Sequence, residues 1–139
     1  YVAQEIINFN DIEYTCGVYK SKFNYIKIII LERKIKKGTT IFAKVITNEK
    51  IRNYCLEIAK CFPSFGSFNV QLKLNNKNEP ICFEINPRFS GTTFIRHKFG
   101  FKDLESSINE FYFKKNSEKI FKLKEGIAIR FYDEKIILH

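Results

Sequence analysis

Phe68-Asn69-Val70-Gln71-Leu72-Lys73-Leu74 and Pro80-Ile81-Cys82-Phe83-Glu84-Ile85-Asn86 flank the polar turn Asn75–Glu79. Both stretches alternate apolar and polar side chains over a short span, the signature of two strands joined in an antiparallel hairpin. With Asn76 facing Glu79 across the turn, the register sets Gln71 opposite Glu84 and Asn69 opposite Asn86. Opposed residues share a face and successive residues alternate faces, so these four polar groups converge on one patch. The other face carries Val70, Leu72 and Leu74 with Ile81, Phe83 and Ile85, and is expected to pack on helices.

Working outward, three extended segments precede the hairpin: about Tyr1–Ile7, Ile12–Lys20 and Tyr25–Glu32, with turn residues at Asn8–Asp11 and Ser21–Asn24. Arg33–Gly38 reads as a basic turn, and Thr39–Ile46 as a loop or short strand. Asn48 is placed to cap a helix whose apolar face is Ile51, Cys55, Ile58, Ala59 and Phe62, and Pro63 ends it. Beyond the hairpin, Thr92–Phe99 and Asp103–Lys115 read as helices around Gly100, and Ile127–Tyr132 with Lys135–Leu138 as a closing hairpin. The expected class is α+β, a largely antiparallel sheet packed with helices in one domain spanning residues 1–139.

Composition narrows the function classes. A 45% hydrophobic share with 15 Phe is too apolar for a disordered tail, and no apolar run approaches the roughly 20 residues of a membrane helix. Twenty-four Lys and Arg against 15 Asp and Glu give a net charge of +9, a bias toward anionic ligands. Cys16, Cys55, Cys61 and Cys82 form no close Cys-x-x-Cys pair, so they read as reduced thiols packed as small apolar residues in a cytoplasmic protein. The chain opens on Tyr1 with neither a methionine nor a signal sequence, so a piece of a longer protein is expected.

The polar patch carries the chemistry. A carboxylate with amide oxygens beside it suits Mg²⁺, which takes one or two protein carboxylates and completes its shell with water and substrate phosphate. A bound polyphosphate would supply the missing negative charge, and Arg88, just past the strand, would stabilise charge on a transferred phosphoryl group. The competing reading is the solvated face of an amphipathic hairpin. Such a face more naturally carries Lys, Thr and Glu than two Asn and a Gln, and this strand runs into the rigid-then-flexible turn Asn86-Pro87-Arg88-Phe89-Ser90-Gly91.

Gly66-Ser67-Phe68-Asn69-Val70-Gln71 followed by Phe83-Glu84-Ile85-Asn86-Pro87-Arg88-Phe89-Ser90-Gly91 resembles the metal-binding hairpin of the ATP-grasp superfamily, especially its carbamoyl-phosphate-synthetase-like branch. Ala3-Gln4-Glu5-Ile6-Ile7 and Ile12-Glu13-Tyr14-Thr15 are similar to the family's hinge and following strand. The resemblance implies the C-terminal ATP-grasp subdomain of a ligase that phosphorylates a small carboxylate to an acyl phosphate for attack by an amine or similar nucleophile. It implies ATP and Mg²⁺ or Mn²⁺ as cofactors, with Gln71, Glu84 and Asn86 at the metal. It places Asn69 beside metal and phosphates, Arg88 on the transferred phosphoryl group, Glu5 and Ile7 at the adenine, and Glu13 on the ribose hydroxyls. The family's lysine-bearing first half is not in this sequence, so the fragment is expected to be inactive alone and to partner the remaining N-terminal part of the same enzyme.

Two alternatives stay open. Arg33–Lys37 and the Phe/Lys-rich stretch Phe111–Lys124 would suit a basic nucleic-acid-binding module without catalysis, although no aromatic RNA-recognition signature lies on the central strands. A degenerate ligase domain kept for structure or regulation is the other. Arg33 and Lys44 are candidate contacts for a substrate carboxylate, and Arg96-His97-Lys98 reads as a helix face.

Overall fold

The computed structural model of the chain describes residues 3, 7 and 12–131. Their centre is a six-stranded sheet built from β1 (Glu13–Lys20), β2 (Ile26–Lys36), β3 (Thr39–Ile46), β4 (Gly66–Leu74), β5 (Pro80–Asn86) and β6 (Ile127–Ile129). The strand order is β5-β4-β1-β2-β3-β6 and every neighbouring pair is antiparallel, so the class is the α+β arrangement that the alternation predicts. The expected strand Tyr1–Ile7 and the final hairpin beyond Phe131 lie outside the described residues.

One face is covered by α1 (Glu49–Cys61). Asn48 accepts a hydrogen bond from the Ile51 amide at 3.1 Å, satisfying one of the free donors at the helix start. Phe62 leaves helical geometry because the following Pro63 disfavours it, and Lys20 Nζ donates to the Phe62 carbonyl at 2.6 Å. Ile51, Cys55 and Ala59 are fully buried against Cys16 and Val18 of β1 and Phe68, Val70 and Leu72 of β4. The Phe62 and Phe68 rings stack with centroids 4.5 Å apart. Cys16 and Cys55 are free thiols within this core, and the contact with Cys55 together with burial pushes the Cys16 thiol well up. Replacing Asn48 by Ala should cost about 1 kcal/mol in a urea titration, the usual value of an N-cap, because the Ile51 amide loses its acceptor.

The opposite face is covered by two short helices, α2 (Thr93–Lys98) and α3 (Asp103–Ser107), the latter continuing as one π-helical turn over Ile108–Tyr112. Here Tyr19, Tyr25, Ile29, Leu31 and Ala43 pack against Ile95 and Phe101. Phe121 completes the cluster, with its ring 5.6 Å from Tyr19 and 5.3 Å from Phe101. An aromatic of the Phe/Lys-rich stretch therefore serves the core rather than a stacking platform. Buried Glu110 accepts from Ser21 Oγ at 2.8 Å, from Tyr25 Oη at 2.5 Å and from the Lys22 amide at 3.2 Å, which pins the β1–β2 turn to the π-helical segment. Among the described residues no helix is long and apolar enough to cross a membrane.

Two expectations need correction. Arg33–Lys36 is strand rather than turn, and the reversal is confined to Lys37-Gly38, both at positive φ as a tight hairpin requires. In β5 the register moves by one between Gln71 and Leu72: Gln71 faces Glu84, whereas Leu72 faces Cys82. The extra residue is Phe83, so Ile81, Phe83 and Ile85 do not form one apolar row. Cys82 instead joins Leu72 against α1.

Candidate functional site

The bulge falls beyond the paired candidate residues of the hairpin. From Gln71 to Asn69 the register is the one the sequence predicts, with Gln71 opposite Glu84 and Asn69 opposite Asn86. Those four side chains share the sheet face opposite α1. Asn86 Nδ2 donates to Glu84 Oε1 at 2.9 Å, and Arg88 Nη2 donates to Asn86 Oδ1 at 3.3 Å, so acid, amide and guanidinium form one exposed chain at the end of β5.

The neighbouring strands extend this patch inward. β1 lies beside β4 with Thr15 opposite Gln71 and Gly17 opposite Asn69. β2 lies on the far side of β1 with Arg33 opposite Glu13. Arg33 Nε donates to Glu13 Oε1 at 3.1 Å, and its Nη2 donates both to that oxygen and to Gln71 Oε1. Glu13, Arg33 and Gln71 are thus a bonded trio running across three strands, with only 11% of the Arg33 side chain and 19% of that of Glu13 exposed. Lys44 pairs with Glu32 in the ladder, one residue out of step with Arg33, so it faces the α1 side and does not join Arg33 as a carboxylate contact.

Asn69 is buried. Its Oδ1 accepts from Thr15 Oγ1 at 2.8 Å and from Arg96 Nη1 at 3.2 Å. Arg96, expected on an exposed helix face, is wholly buried. It lies over the sheet at Gly17, where a Cβ would stand 2.5 Å from Nη1. Arg96 Nη2 donates to Asp103 Oδ2 at 3.1 Å and to Thr93 Oγ1 at 3.0 Å, and Ser67 Oγ donates to the same Asp103 oxygen at 2.7 Å. Burial lowers the Arg96 pKa, and the Asp103 carboxylate opposes that by favouring the charged guanidinium. The sequence signal for this arrangement is Gly17 itself: a glycine inside a strand marks a place where another group approaches the backbone.

Of the remaining candidates, Glu5 lies outside the described residues, Ile7 is half-buried, and Glu13 turns its carboxylate toward Arg33. The loop after Arg88 is ordered by its own hydroxyls: Ser90 Oγ and Thr92 Oγ1 lie 2.8 Å apart, and the Ser90 amide donates to Thr93 Oγ1 at 3.0 Å. Arg130, just past β6, donates from Nη2 to the Gly91 carbonyl at 3.0 Å. The sequence marks this turn as a site rim but gives no sign of Arg130.

Among the described residues no group of three or more His, Cys, Asp or Glu gathers to hold a metal ion. What the patch offers is one exposed carboxylate, Glu84, with the amide oxygens of Asn86 and Gln71, each accepting from an arginine. Such a donor set is too weak in charge to take a bare divalent cation, yet it fits one delivered on a polyphosphate, which would draw Arg88 onto phosphate oxygens and free the amide.

Comparison with known proteins agrees with this layout. No curated protein sequence matches the chain. The fold is similar to the N5-carboxyaminoimidazole synthase of Aspergillus clavatus, solved with ADP and 5-aminoimidazole ribonucleotide: TM-score 0.71 at 12% identity, covering 87% of this chain and 35% of that one. It is similar to the N5-carboxyaminoimidazole ribonucleotide synthetase of Thermus thermophilus, with TM-score 0.61 at 12% identity over 75% of this chain and 31% of that one. It is also similar to the L-amino acid ligase of Bacillus licheniformis, with TM-score 0.54 at 13% identity over 71% and 29%. The chain spans about a quarter to a third of the length of such proteins. Residues 9–133 match the family model described as ATP-grasp in the biosynthetic pathway with Ter operon, and with nearly the whole described chain inside that match, the protein belongs to this ATP-grasp family.

Proposed function

We propose that this chain forms the C-terminal, metal- and phosphate-binding part of an ATP-dependent carboxylate ligase, completed by a further N-terminal part of the same enzyme. The observation that carries the reading is the placement of Gln71, Glu84 and Asn86 on one sheet face with Arg88 bonded to Asn86 at its rim. The carbamoyl-phosphate-synthetase-like branch is the finer assignment, supported by the run Glu84-Ile85-Asn86-Pro87-Arg88. The ATP or ADP bound to the fold relatives supports the choice of nucleotide.

In this reading Glu84 Oε and the amide oxygens of Asn86 and Gln71 are the ligands for Mg²⁺ or Mn²⁺. When bound, the ion neutralises phosphate charge and aligns the terminal phosphoryl group. A substrate carboxylate oxygen attacks the γ-phosphorus, the bond to the β–γ bridging oxygen breaks, and ADP leaves. Arg88 follows the charge on the transferred group because its planar fork can bind two oxygens at once. An amine then attacks the acyl carbon, inorganic phosphate departs, and the amine proton is lost. Asn69 stays behind Asn86 as a buried prop rather than in the phosphate shell, because its carbonyl oxygen is held by Thr15 and Arg96. Glu5, Ile7 and Glu13 remain proposed contacts of adenine and ribose.

Mg·ATP should raise the melting temperature of the chain in a thermal-shift assay, and Glu84→Gln should remove at least nine-tenths of that rise by withdrawing the one anionic ligand. Equal protection of both proteins would count against the assignment. Salt-sensitive oligonucleotide binding that ignores Glu84→Gln would point instead to the nucleic-acid module.

A further inference from the structure

Beside the hairpin patch lies a second concavity that none of the ligands named above lines. It has a volume of about 130 Å³, and its walls are Arg33, Arg130, the hydroxyl residues Thr39, Thr40, Ser90 and Thr92, and the glycines Gly38 and Gly91. Two arginines line it and, among the described residues, no acidic one does; Arg33 carries an ion pair with Glu13 outside the lining, and Arg130 has its bond to the Gly91 carbonyl. Four hydroxyls and two residues without side chains complete the lining, so backbone amides can also approach a bound group. The cavity is the size of a few water molecules, enough for one carboxylate or phosphate group and too small for a nucleoside.

The built-in contacts show that this lining is held in place. Arg33 is fixed by Glu13 and Gln71 through Nε and Nη2, and Nη1 takes part in neither of those bonds. Arg130 is fixed to the Gly91 carbonyl, and the Ser90–Thr92 hydroxyls are bonded to one another. Charge-assisted, forked donors held in this way discriminate strongly for oxyanions.

Glu84, Asn86 and Arg88 do not line the cavity, so a group seated there is not the carboxylate that meets the transferred phosphoryl group. The two places are nonetheless adjoining: Arg33 touches Gln71, which faces Glu84, and the Ser90–Thr92 loop begins two residues after Arg88. We propose that this cavity anchors a second anionic group of the substrate, so that the enzyme's carboxylate substrate is a dianion, with one end at Arg88 and the other between Arg33 and Arg130. This rests on the ligase reading for the identity of the first group; the cavity's preference for an oxyanion stands by itself.

The test is an NMR titration of the 139-residue chain with succinate, with glycerol 3-phosphate and with uncharged succinamide, following the amides of Gly38, Thr40 and Gly91. Saturable shifts are expected with at least one of the two anions and none with succinamide. The tighter anion tells whether the seated terminus is a carboxylate or a phosphate ester. Arg130→Gln should weaken binding about tenfold, the value of one charge-assisted hydrogen bond, Thr40→Val should weaken it several-fold, and Lys60→Gln, an exposed cation on α1 at the other face of the sheet, should leave it unchanged. Absence of shifts with both anions, equal shifts with succinamide, unchanged affinity in both cavity variants, or an equal loss of binding in Lys60→Gln would each overturn the proposal. Failure of the ligase reading registers separately, as loss of Glu84-dependent protection by Mg·ATP.

Discussion

Arg96→Met should lower the unfolding free energy by about 3–5 kcal/mol, the cost of removing one partner from a buried ion pair. The side chain is wholly enclosed, and its loss leaves the Asp103 carboxylate with Ser67 Oγ and the Leu104 amide as its donors among the described residues. It also removes the second donor to Asn69 Oδ1. Methionine fills much of the space over Gly17, so the effect reports charge rather than cavity. In a urea titration the double variant Arg96→Met/Asp103→Asn should be at least about 1 kcal/mol more stable than Arg96→Met alone, because the uncompensated charge is gone. A single variant within about 0.5 kcal/mol of wild type, the range of an ordinary surface change, would show that the pair carries no such weight.

Gly100→Ala is expected to be worse still. The backbone there sits at φ +84, a region that costs a residue with a Cβ about 1–2 kcal/mol. The added Cβ would also lie 1.9 Å from the Lys122 carbonyl oxygen and 2.6 Å from its carbon. Those are backbone atoms held by the Lys122 amide's bond to Gly100 O at 3.2 Å and the Lys124 amide's bond to Phe99 O at 2.9 Å, so no side-chain rotation relieves the clash. A loss above about 4 kcal/mol is expected, a large part of the 5–15 kcal/mol that holds a typical domain together. Far-UV circular dichroism and soluble yield should show it directly. Gly38→Ala is the control: φ is similar at +75, but nothing lies within 4 Å of its Cβ, so it should cost only about 1 kcal/mol.

These residues also mark where a reading of the sequence succeeds and stops. The pairing of Gln71 with Glu84 and Asn69 with Asn86 was legible because strict alternation and a defined turn fix a hairpin register. The shift at Phe83 was not, since one added residue in an apolar run leaves hydrophobic pattern and composition almost unchanged. β2 was foreseen only to Glu32 because Arg33-Lys34-Ile35-Lys36 has the charge of a turn, whereas in the fold Lys34 and Lys36 are exposed and Arg33 bonds inward. Arg96 was misread because helical spacing says which residues share a side, not that a guanidinium will be drawn through the interior to meet an aspartate seven positions on.

The order β5-β4-β1-β2-β3-β6 sews together two locally formed pieces, a three-strand meander and a hairpin, along the seam between β1 and β4. Glu13, Thr15 and Gly17 stand on one lip of that seam, Asn69 and Gln71 on the other. A partially folded chain in which both pieces survive but the seam has parted keeps most of its sheet content, yet loses the bonds that tie Gln71 to Arg33 and Asn69 to Thr15. A probe of contact between β1 and β4 is therefore a stricter gauge of correct assembly in this protein than any spectroscopic count of strands.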